Sequence, residues 1–96
     1  MNNTEAYKKI IDDLNEKAGT NFKWTSKATQ RRINARLKEG YKIEDFKKVH
    51  KIKAAQWKGT DMAQYLRPST LYRPGHFEEY LNQPMPQKET ATNWDQ

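Results

Sequence analysis

Tyr7, Ile10, Ile11, Leu14 and Ala18 fall at i, i+3, i+4, i+7 and i+11, one apolar stripe at helical period. This pattern commits residues 4–18 to an amphipathic helix that must bury one face. Asn3 or Thr4 stands where an N-cap belongs, and Gly19 where a left-handed residue ends a helix. The same period returns at 44–58, where Phe46, Val49, His50, Lys53 and Trp57 share a stripe with Ala54 beside them. Glu44 and Asp45 in its first turn and Lys58 in its last suit the helix dipole, and Gly59 closes it.

Between these two lies a thinner helix, 27–39, capped by Thr25 or Ser26 and stopped by Gly40. Its apolar face holds only Ala28, Ile33 and Leu37, with Lys27, Arg31, Arg32 and Lys38 opposite, so most of its surface must face water. The loop 20–25 carries Phe22 and Trp24, which are expected to fold back over the helix junction. After Gly59, Asp61 is placed to cap a short helix at 62–66 that Pro68 closes, since the residue before proline avoids the helical region. A turn from Ser69 to Tyr72 and a last segment from His76 to Leu81 follow, separated by Pro74-Gly75. Neither strand-like alternation nor an internal repeat is present. The expected fold is therefore all-α: one small domain over 4–82, with three main helices and one or two short C-terminal ones. The polar, proline-containing stretch 83–96 reads as a disordered tail, in which Trp94 is either a short linear anchor for a partner or a stray tail residue.

Composition narrows what such a domain does. Hydrophobic residues are 34% of the 96 residues and aromatics 11%, so the core must be small and built largely from rings. With no cysteine, disulfides, thiolate metal sites and cysteine nucleophiles are excluded. Without a long apolar run or a leader-like start, the expectation is a soluble protein of the cytoplasm. Two separated histidines offer no metal site: His50 sits on the Phe46–Trp57 stripe as a core-edge residue, and His76 follows Pro-Gly at a helix start. The adjacent acids Asp12-Asp13 and Glu78-Glu79 are placed on exposed helix positions and diverge by about 100° on the wheel, so they do not make an acid–base pair. The chain is expected to be no enzyme and to need no cofactor.

Charge is the stronger signal. Residues 22–58 hold twelve cations against three carboxylates, a net +9, while 1–21 carry −1 and 59–96 carry −2. Lys27, Arg31 and Arg32 on the second helix, and Lys47, Lys48 and Lys51 on the third, are the residues placed to contact phosphates. Two readings stand for this face: a solvated lysine surface of the kind small domains carry, or a nucleic-acid-contacting surface that positions without reading sequence. Trp24, Trp57 and the tyrosines have helical placements that favour core membership over base stacking.

The succession YKKIIDDLNEKAGTNF (7–22), RRINARLKEGYKIEDFKKV (31–49), WKGTDMAQYLRPSTLY (57–72) and FEEYLN (77–82) resembles a conserved C-terminal domain of phage replication proteins. These are the phage replisome organisers, distantly similar to the DnaD family of primosome proteins. The resemblance implies a helical accessory domain of replication initiation that binds single-stranded DNA, the host helicase loader, or both. The chain departs from the DnaD-type YxxxIxxxW motif, because Val49 and Lys53 hold its first two places and only Trp57 matches. A complete organiser carries an N-terminal DNA-binding domain ahead of such a region. The chain is therefore expected to be either an excised domain or a stand-alone phage protein, the latter binding the host loader and blocking host DNA replication. Within YLRPSTLY (65–72) and on to Leu81, Tyr65, Leu66, Leu71 and Phe77 are spaced to close the core, leaving Tyr72 and Arg73 outward, with Trp57, as the expected partner contacts.

Overall fold

In a computed structural model, residues 3–84 are described. They form α1 (Thr4–Ala18), α2 (Lys27–Lys38), α3 (Ile43–Trp57), a 3₁₀ turn (Asp61–Tyr65), α4 (Pro68–Leu71) and α5 (His76–Leu81). No strand occurs among the described residues. The all-α expectation holds, and the three long helices lie within a residue of their expected limits. The expected tail falls mainly on 85–96, with Trp94, outside the described residues. Its first residue, Gln83, is anchored: its Oε1 accepts from Lys53 Nζ at 3.1 Å and Gln56 Nε2 at 3.2 Å.

α3 is the central element. α1 packs along it, α5 and the 3₁₀ turn cover its other flank, and α4 ties α2 to α5. The two apolar stripes meet in one core. Ile10, Ile11, Leu14, Phe46 and Val49 are essentially inaccessible, joined by Ile33, Leu71, Tyr72 and Phe77. Aromatic rings make its centre: Phe46 stands edge-on to Tyr72 at 5.1 Å and against Phe77 at 4.8 Å, and Tyr41 meets Phe77 at 4.8 Å. Such pairs each contribute about 0.5–1.5 kcal/mol beyond the area they bury.

Local chemistry sets the helix ends. Gly19 adopts φ 71°, the left-handed conformation that only glycine takes without strain, and its N–H bonds Asn15 O at 2.8 Å. Asn15 then fastens the following loop, exchanging hydrogen bonds with the Phe22 backbone at 2.8 and 3.0 Å. Phe22 and Trp24 thus fold onto the core, as their position implied. Ser26 caps α2 by accepting from Thr29 N–H, and Asp45 Oδ2 accepts from Lys42 N–H at 2.8 Å at the start of α3.

Four expectations are corrected. Asn3 occupies the N-cap position of α1, but its side chain bonds Asn34 on α2 at 2.8 Å instead of capping. Thr60, not Asp61, caps the short turn at 61–65, accepting from Met62 N–H at 3.0 Å. Pro68 opens α4 as its first residue, where a missing N–H costs nothing, besides ending what precedes it. Tyr72 does not face outward. Its side chain is fully buried because α4 is a single turn whose Leu71 and Tyr72 both drop into the core.

Candidate functional site

The six expected phosphate contacts stay at the surface. Lys27, Arg31, Lys47, Lys48 and Lys51 are exposed, and Arg32 is half-buried. Five of them line two depressions with no residue in common. Lys47, Lys48 and Lys51 share one with Lys17 of α1 and Glu44. Arg31 and Arg32 line a groove of about 260 Å³ with Ala28, Ala35 and Arg36 of α2 and the Tyr72–Pro74 turn. Lys27 belongs to neither lining.

Of the three expected partner contacts, only Arg73 is fully exposed. Trp57 is half-buried, edge-on to Tyr65 at 6.3 Å and Tyr80 at 5.9 Å. Tyr72 is buried and cannot touch a partner in this fold.

Three charged or polar side chains lie inside the molecule: His50, expected at the edge of the core, Lys53, on the same apolar stripe, and Arg36, whose burial was not expected. His50, fully buried, joins Asp13 Oδ2 through Nδ1 at 2.8 Å and the Tyr72 hydroxyl through Nε2 at 2.6 Å. A carboxylate only accepts, so Nδ1 carries the proton, and Nε2 is left to accept from the Tyr72 O–H. Burial pushes the His50 pKa below its ordinary value, against the pull of Asp13. Burial also pushes the Asp13 carboxyl up, but hydrogen bonds from His50 and Lys17 together hold it below its ordinary value. Desolvation raises the Tyr72 phenol well above its ordinary value, with the Asp13 charge adding to it. An acid–imidazole–hydroxyl chain resembles a nucleophile triad in outline, but here the hydroxyl has no access to solvent. It ties α1, α3 and the end of α4 together. Asp13 is therefore not the freely exposed acid expected, since its side chain is only 10% accessible.

Lys53 is the second. Although a lysine, it is 3% exposed, with Nζ 4.1 Å from the Trp57 ring centroid and 4.6 Å from that of Tyr80. Its ammonium also donates to Gln56 and Gln83, and burial lowers its pKa. The ring faces replace a counter-ion, which explains a lysine at a core position of the α3 stripe. The third is Arg36, 4% exposed, which donates from Nη1 to Tyr72 O at 3.0 Å and from Nη2 to Glu39 at 2.8 Å. A usable sequence signal existed for each of them. His50 and Lys53 sit on the apolar stripe itself, and Arg36 falls three residues after Ile33 on the thin face of α2.

Among the described residues no cluster of three or more His, Asp or Glu side chains is placed to hold a metal, and no helix is long and apolar enough to cross a membrane.

A model of the conserved phage C-terminus family matches residues 10–82. The chain belongs to that family. No curated protein and no solved structure matched it. The matched span of this phage domain runs from the middle of α1 to the residue that caps α5, and it contains every fully buried core residue. It also contains every residue that lines the two basic depressions.

Proposed function

We propose that this phage domain is a non-enzymatic accessory of DNA replication that engages single-stranded DNA through Lys27, Arg31, Arg32, Lys47, Lys48 and Lys51. The carrying observation is segregation of charge along the chain: residues 22–58 carry a net +9, and ten of their twelve cations lie at the surface, while residues 1–21 and 59–96 carry −1 and −2. The resemblance to phage replisome organisers points the same way. Lysines and arginines placed like this position a backbone without reading bases.

A fluorescence-anisotropy titration with labelled oligo-dT across a salt series tests it. Six phosphate contacts give a log–log salt slope of about −4, at about 0.7 per phosphate on single strands. Millimolar affinity at low salt, or a flat slope, overturns the DNA reading.

A second reading has its own observation. Among the described residues, Met62 is the large hydrophobic left exposed, at 41%, on the 3₁₀ turn that packs on α3. With the half-buried Trp57 and with Arg73, it offers a protein contact. The partner proposed is the host helicase loader, either recruited or, for a stand-alone protein, blocked so that host replication stops. Pull-down from host lysate with the parent and with Met62→Asp is the test. Loader captured by the parent and lost in the variant supports it, and loader absent from both counts against it.

A further inference from the structure

We infer that the groove between α2 and the Tyr72–Pro74 turn is a built site for a single phosphate group, with Arg31 and Arg32 at its rim and Arg36 beneath. It deepens the nucleic-acid reading and rests on it only for the source of the phosphate.

Three arginines line this one groove, and no carboxylate does. Its remaining lining is small or apolar: Ala28 and Ala35, two turns apart on α2, and Pro74 opposite. Alanines at these positions leave room beside the helix that longer side chains would fill. At about 260 Å³ the groove has room for a phosphate with its adjoining sugar.

Arg36 supplies the independent observation. Its two terminal nitrogens are committed, to the Tyr72 carbonyl and to Glu39, but its Nε is enclosed without any acceptor. A buried donor left unpaired costs about 1–3 kcal/mol, and native structures rarely tolerate one without a reason. A phosphate oxygen beside Arg36 supplies the missing acceptor. Because Nε is shielded from solvent, it joins only after the flanking side chains shift around the bound group. Glu39 balances the charge of Arg36, so Arg31 and Arg32 remain to neutralise the ligand. Guanidinium forks match phosphate geometry with paired hydrogen bonds, whereas the lysines of the α3 depression act as point charges. The two basic depressions thus have different tasks: the arginine groove seats one phosphate, and the lysine surface adds diffuse attraction.

The experiment uses the parent, Arg31→Ala/Arg32→Ala and Lys47→Ala/Lys48→Ala, with thermal melts confirming that the surface variants fold. Inorganic phosphate is titrated by NMR, and labelled oligo-dT by anisotropy. In the parent, phosphate is expected to move the amides of Ala28 to Arg36 selectively, an effect lost in the arginine pair and kept in the lysine pair. For the oligonucleotide, the arginine pair weakens binding about tenfold and reduces the salt slope by about 1.4. Phosphate shifts that are absent, or spread equally over the lysine surface, overturn the site. Oligonucleotide binding that is unchanged in the arginine pair overturns it too, while leaving the DNA reading intact. Localised phosphate shifts with no oligonucleotide binding keep the site, assign it to free phosphate, and end the DNA reading.

Discussion

A Leu71→Asp chain is expected not to fold, while Arg73→Ala, two residues away, melts like the parent. Leu71 is fully buried in the one-turn helix α4, inside the core cluster that joins Ile33, Phe46 and Phe77. Removing a buried leucine side chain costs about 2–5 kcal/mol, and an unpaired carboxylate in its place adds several more. A domain of this size has roughly 3–5 kcal/mol in total, so the substitution exceeds it. Arg73 is exposed, and its backbone carbonyl holds the start of the following helix, accepting from His76 N–H at 3.2 Å and Phe77 N–H at 3.0 Å. Circular dichroism melts of both variants decide the matter. A cooperative transition in Leu71→Asp that overlays the parent's refutes the clasp role of residues 65–77.

The second large effect concerns Asp13, His50 and Tyr72. Tyr72→Phe keeps the ring packing but leaves His50 Nε2 buried without a donor, at an expected cost of about 1–3 kcal/mol. Acid acts on the same network. The folded-state pKa of His50 lies below its ordinary 6.5, so beneath that pH the unfolded chain binds a proton that the folded one excludes. Stability therefore falls as the pH drops from 6.5 toward the folded-state value, by at most about 1.4 kcal/mol per unit. Asp13, held below its ordinary 3.8, contributes stability that persists above that value and is lost only in stronger acid. Urea unfolding between pH 7.5 and 5 separates the two. The parent loses stability across this window, and His50→Gln shows a shallower dependence whatever its absolute stability. Equal slopes in the two proteins disprove the linkage to His50.

The helices and their caps were legible because they follow from local spacing: the α1 and α3 stripes, Gly19 beyond the first, Ser26 before the second. Proline and threonine chemistry was harder to read, since Pro68 both ends one turn and begins the next, and Thr60 competes with Asp61 for the same cap. Tyr72 was misplaced for a simple reason. In a helix of four residues no periodicity exists to say which side faces in.

The basic residues were visible as a charge excess, but their division into a lysine surface and an arginine groove was not, because it depends on which turn of α2 meets the Tyr72–Pro74 segment. By itself, then, the sequence determined an all-α chain, its helix boundaries, an aromatic core and a cationic middle, because each is set by neighbours within a few residues or by simple counting. Tertiary structure alone decided that Asp13, His50 and Tyr72, 37 and 22 residues apart, form one chain of hydrogen bonds. It likewise decided that Lys53 lies between two rings, and that Arg36 sits under a groove with one donor unused. The α3 stripe marked where His50 and Lys53 would lie, but the partners that a buried polar side chain finds depend on what packs across from it, and no local pattern records that.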